Sequence, residues 1–154
     1  MAAVKRRGRR SATAAARTNN QPARLASALA ALARGLPNPW DEATDYFRGF
    51  TAALPGPNAL SPASFRSALG IGQRYAIDMS PADDKLIALG NAGIDWGEDI
   101  AGGFRQLGTV MRVTLAERTL AFARGSGVVR VRVWLFGRSD DGTLVGLRSI
   151  STEP

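Results

Sequence analysis

The sequence predicts an α+β fold, and three observations carry that expectation. Val128–Phe136 alternates strictly, with Val129, Val131, Val133 and Leu135 on one side and Arg130, Arg132, Trp134 and Phe136 on the other. That period of two is the signature of a strand. Asp140-Asp141-Gly142 follows, which is hairpin turn chemistry, and Leu144–Ile150 reads as the returning strand. Two stretches upstream have helical spacing instead: Leu25, Leu29 and Leu32, and then Phe104, Leu107, Val110, Met111 and Leu115.

Taken in order, the first helix is expected over 22–34, with Gly35 as its stop and Pro37 and Pro39 beyond. Trp40–Thr44 reads as a turn or loop leading into a short extended piece around Tyr46–Phe50. LPGPNALSP reads as a loop on its prolines and glycine. Ser61 caps a short helix over Pro62–Leu69, which Gly70 and Gly72 end. Arg74–Met79 is a strand with Tyr75 and Ile77 on one side. Ser80-Pro81 then opens a second short helix over Pro81–Leu89. GNAGIDWGEDIAGG reads as flexible and acidic, and Asp99–Arg118 as the second long helix, with Glu98 and Asp99 at its positive end. Leu120–Arg124 is extended and Gly125-Ser126-Gly127 a turn. The last three strands therefore form an antiparallel meander, with at least one strand before them.

Composition bounds the chemistry. The chain has 154 residues, of which 45% are hydrophobic and 21% charged, enough for one domain with a sizeable core. It has no cysteine and no histidine. Disulfides, thiolate metal sites and cysteine nucleophiles are thereby excluded, and so is the commonest general base. No cofactor is implied. No run of about 18 apolar residues exists to span a membrane, and the missing cysteine fits a cytoplasmic location.

The net charge of +7 is unevenly placed. Residues 1–40 hold Lys5, Arg6, Arg7, Arg9, Arg10, Arg17, Arg24 and Arg34 and no acid, while the rest of the chain carries twelve cations against thirteen acids. The organisation expected is a disordered basic leader over 1–21, too poor in large apolar side chains to offset chain entropy, followed by one domain over 22–154. The leader fits a solvated tail, a sequence-blind nucleic-acid contact through Lys5, Arg6, Arg7, Arg9 and Arg10, or a targeting segment.

Few constellations suggest catalysis. Gly70-Ile71-Gly72 lacks the third glycine and the strand context of a phosphate loop. Asp83-Asp84 and Asp95/Glu98/Asp99 have a plain explanation as charge at helix N-termini, and Asp140-Asp141 as turn formers. Arg130 and Arg132 share a strand face and could meet phosphate, though a solvated strand face is the favoured explanation.

The C-terminal half resembles the nuclease A inhibitor family. The residues that carry the likeness are Phe104 and Leu107 on a helix, then Gly127, Val129, Val131, Val133, Leu135, Phe136, Gly137, Gly142, Leu144, Gly146 and Leu147. A thinner likeness lies upstream, where Gly35-Leu36 precedes DEATDYFRGF. Here Glu42 stands in the family's glutamate position and Phe47 and Phe50 in aromatic ones. The likeness spans about residues 22–154. It implies an α/β/α sandwich with a mainly antiparallel sheet. It also implies a protein that is not an enzyme but an inhibitor of a sugar-nonspecific, magnesium-dependent endonuclease. In such an inhibitor the acidic loop and the C-terminus enter the nuclease site. Here those groups would be Glu42 and Pro154, with Asp41, Thr152 and Glu153 beside them. The alternatives are a nucleic-acid-associated protein that uses the basic tail, a carboxylate-metal enzyme disfavoured by the missing histidines, and an interaction domain of another kind.

Overall fold

The computed structural model describes residues 20–39, 46–54, 59–125 and 130–152, the last by its backbone. Helix α1 forms where the leucine spacing predicts a helix, but it is described over 20–32 and not 22–34, with a turn through Gly35 after it. Strand β1 follows at Arg48–Ala52, helix α2 at Pro62–Leu69 and strand β2 at Tyr75–Pro81. Helices α3 (Asp83–Gly90), α4 (Gly93–Trp96) and α5 (Glu98–Thr114) come next, then strands β3 (Ala116–Gly125), β4 (Arg130–Arg138) and β5 (Leu144–Thr152). The described strands form one sheet in the order β1-β5-β4-β3-β2, antiparallel at every pairing. The fold is α+β. The expected meander is β3-β4-β5, and the first strand closes the sheet by pairing with the last.

Alternation along the strands sorts the core into two layers. Leu120, Val133, Leu135, Val145 and Leu147 lie on one face, under Ala26 and Leu29 of α1, Leu86 of α3, and Phe104, Leu107 and Met111 of α5. Ala121, Ala123, Trp134, Phe136, Phe50 and Leu144 lie on the other, under Phe65 of α2. Helices thus cover both faces and the architecture is the α/β/α sandwich. The thin layer depends on one ring. Phe65 is fully buried, stacked on Phe136 at 5.0 Å between centroids and edge-on to Trp134 at 5.2 Å. A capping box locates its helix: Ser61 Oγ accepts from the Ser64 amide, and Ser64 Oγ accepts from the Ser61 amide.

Gly146 explains why those rings meet. It lies between Phe50 of β1 and Phe136 of β4 in the ladder, and the two phenylalanines touch edge-to-face across it at 6.0 Å. A Cβ at Gly146 would come within 2.5 Å of the Phe136 Cα and 2.6 Å of its Cβ. The missing side chain is what lets aromatic rings from both neighbours fill the layer.

Several boundaries differ from the sequence reading, each for a tertiary reason. The second long helix ends at Thr114, not Arg118. Leu115 is extended (φ −129°, ψ 142°) yet still buried, so its periodicity belongs to the core and not to the helix. A bulge between Ala116 and Thr119 follows, with Glu117 in the left-handed region (φ 49°). There Arg118 donates to both carboxylate oxygens of Asp83, at 2.7 and 2.9 Å, and to the Leu115 carbonyl at 2.6 Å. Its own carbonyl accepts from Ala82. This grip on the start of α3 sets the bend.

Ser80 and Pro81, expected to open the third helix, instead end β2 opposite Leu120 and Thr119. Proline is tolerated there because β2 is an edge strand whose outer amides pair with nothing in the sheet. Helix α3 begins without a side-chain cap, and Asp83 and Asp84 complement its positive end. Within the segment expected to be flexible, Gly93–Trp96 forms the short helix α4. Strand β2 starts at Tyr75, one residue later than expected, and β5 extends two residues beyond Ile150. The Asp140–Gly142 turn forms as predicted: Asp141 Oδ1 accepts from the Thr143 amide, and Ser139 and Thr143 close the loop. Among the described residues, no helix is long and apolar enough to cross a membrane.

Two measurements check this account. Replacing Gly146 with Ala is expected to cost about 1–3 kcal/mol in chemical denaturation, because strands and rings must part to admit the methyl. The Arg118 guanidinium, by hydrogen bonding, holds the Asp83 carboxyl below its ordinary value. In acid the unfolded chain therefore takes up that proton first. The pair's contribution, about 1 kcal/mol after allowance for its part-exposed setting, is complete above about pH 5 and is lost as pH falls through the unfolded value and then the lowered native one. The stability gap between the parent and Asp83→Asn should close over that window.

Candidate functional site

The most specific local construction outside the two cores lies at the C-terminal end of β5. It begins with α1. Its Ala26 lies so close over β1 that a Cβ on Gly49 would come 2.7 Å from the Ala26 carbonyl oxygen. Glycine at 49 is what lets the helix press on the edge strand. Beyond the Gly35 turn, Leu36 is buried against α5, where Gly103 makes room for it. The chain then crosses to β5 through Pro37-Asn38-Pro39.

Asn38 is the fastening. It is 1% exposed, and its side-chain Nδ2 donates to Ser149 Oγ at 3.2 Å, to Ser151 Oγ at 3.1 Å and, at longer range, to the Ile150 carbonyl at 3.5 Å. Both serines are buried on the face that α1, α3 and α5 cover, in line with Val145 and Leu147. A polar contact set of this kind is strengthened by exclusion of water, and it fixes the register of the crossing segment.

The chain returns to the same place. Phe47 is buried in the larger core, Tyr46 is two-thirds exposed, and Arg48 enters β1 directly opposite Arg148. The β1–β5 register runs antiparallel, so the N-terminal end of β1 lies toward the end of β5 at which Thr152 leaves the sheet. Both described flanks of the acidic segment, Asn38-Pro39 and Tyr46-Phe47, therefore stand beside the last residues of β5.

The sequence-predicted residues divide accordingly. Thr152 is the last residue of β5 and pairs with Arg130. Asp41, Glu42, Glu153 and Pro154 lie outside the described residues, as do Lys5, Arg6, Arg7, Arg9 and Arg10. Arg130 and Arg132 are exposed and share a face, as the alternation predicts. The acidic pairs have structural work where they are described. Asp83 binds Arg118, Asp141 shapes its turn with a carboxyl lowered by its Ser139 and Thr143 hydrogen bonds, and Glu98 pairs with Arg105. Among the described residues no group of three carboxylates gathers that could hold a metal ion. Asn38 was missed in the sequence reading. An asparagine between two prolines looks like turn chemistry, and only the fold supplies its partners.

In comparison with known proteins, the chain matches no family model and no curated protein.

Asn38→Ala removes the donor to two buried hydroxyls and is expected to cost about 1–3 kcal/mol. Amide hydrogen exchange should quicken at Phe47–Phe50 and Ser149–Ser151, and remain slow in the Trp134–Phe136 stretch of β4.

Proposed function

We propose that this protein inhibits a magnesium-dependent, sugar-nonspecific endonuclease by presenting the acidic segment around Glu42 together with its C-terminal residues to the nuclease active site. The observation that carries the reading is the meeting of the two flanks of residues 40–45 with the end of β5, fastened by Asn38 on one side and by Phe47 and the Arg48–Arg148 register on the other. Two chain segments separated by more than a hundred residues thereby leave the scaffold at one edge. That is the arrangement a two-part plug requires.

The chemistry is consistent. A nuclease site is built to draw in polyanion and to stabilise charge on phosphoryl oxygens near a metal ion. Carboxylates of Asp41, Glu42 and Glu153 would meet the same cations and metal that a phosphodiester meets. Complementary charge of this kind speeds encounter and fixes orientation, while the surrounding contacts set lifetime. A rigid sandwich behind the two segments limits the ordering cost of binding.

The test is a cleavage assay with the purified chain and the magnesium-dependent endonucleases of its own genome. Equimolar protein should stop DNA cleavage by its target. Glu42→Ala combined with removal of residues 152–154 should weaken inhibition at least a hundredfold while leaving the melting temperature within a few degrees. Unimpeded cleavage at molar excess, or full potency in the doubly altered chain, defeats the proposal.

A further inference from the structure

Opposite the Asn38 fastening, the other face of the same sheet end is lined with arginine. Arg130 and Arg132 stand two residues apart on β4, roughly 7 Å along the strand. Arg148 on the neighbouring β5 pairs with Trp134 and is thus diagonal to Arg132, whose own partner is Ile150. Arg48 on β1 lies directly opposite Arg148. All four are exposed, and between them Ile150 presents an apolar spot. At the far margin the Tyr75 ring lies under Arg132, at 5.3 Å, and under one further guanidinium group, that of Arg74, at 5.0 Å.

Nothing acidic balances this group among the described residues. None of the four arginines forms an ion pair there, in contrast to Arg105, Arg118, Arg124 and Arg138. Helix α2, which covers the adjoining part of the face, contains no acid, and the sequence from Tyr46 to Ile77 has none either. Like charges placed directly across a strand pair destabilise the sheet. Arg48 and Arg148 carry that cost on two strands otherwise well matched. A polyanion lying over the face would relieve it.

We infer that this face binds single-stranded nucleic acid. The chemistry favours it over a duplex. Among the described residues this end of the face is bare sheet, with no helix projecting from it to enter a groove. Its guanidinium planes bond phosphate by paired N–H donors and offer flat faces to unstacked bases, while Tyr75 backs Arg74 and Arg132. The inference is independent of nuclease inhibition, since it uses neither Glu42 nor residues 153–154.

Fluorescence anisotropy of the full chain with labelled twenty-residue oligothymidylate and oligouridylate tests it. The Arg130→Gln/Arg132→Gln/Arg148→Gln variant should bind at least tenfold more weakly than the parent. Its slope of log K against log salt should be shallower by about 2, the share of three phosphate contacts on a single strand. The variant should melt no lower than the parent, because it relieves like-charge repulsion. A charge-matched control, Arg24→Gln/Arg34→Gln/Arg112→Gln, leaves the face intact and should stay within twofold of the parent. Equal loss in both variants would assign binding to net charge, and no loss in either would assign it to the leader. Equal affinity for a duplex of the same length would remove the single-strand assignment. Each of those three results overturns the inference. Preference between the two oligonucleotides identifies the natural strand as DNA or RNA.

Discussion

The pairing of β1 with β5 holds the rest of the molecule in place. It joins residue 48 to residue 148, brings the edge strand under α1, and sets Phe50 beside Gly146 so that both helix layers have a floor. Without it, α1 would have no strand to press against, and Asn38 would have no reason to lie over Ser149 and Ser151. The pairing is short, only five residues, and hydrogen bonding in so brief a ladder contributes little net stability. What secures it is burial on both sides: Phe47 in the larger core and Phe50 in the smaller one.

The two faces of the sheet are built by different means. The larger layer is aliphatic and interlocked, with α5 central to it and α1 and α3 on its flanks. The smaller is aromatic, arranged around Phe65, and relies on ring geometry as much as on area. Charge follows the same division. The ion pairs of Asp83 with Arg118 and of Glu98 with Arg105 belong to the side of α3 and α5, whereas the side of α2 is cationic near its open end. A nearly neutral body thus conceals a polarised one.

Much of this was legible in the residues. The period-two run through Val133 and Leu135, the Asp-Asp-Gly turn and the Ser61-Pro62 start fix local conformation by themselves, and the structure follows them. The failures share a cause. Leu115 satisfies a helical period and a strand core at once, and only the Arg118–Asp83 contact, thirty-five residues apart, decides between them. Ser80-Pro81 has the chemistry of a helix start, but its place at an edge lets the strand continue. The candidate site was legible only in part. Glu42 and the terminal residues were singled out by resemblance, whereas Asn38, Arg48 and Arg148 acquire meaning only from a strand pairing that local sequence does not reveal.

That closing strand has a kinetic consequence. Contacts spanning a hundred residues form late, since the loop entropy must be met before any gain arrives. The sheet from β2 to β5, backed by α5, can assemble first and would then show a bare β5 flank. Residues 20–52 of the same molecule compete for that berth with the identical arm of a neighbour. Concentrated refolding therefore favours exchanged dimers, and dilute refolding favours the self-closed monomer.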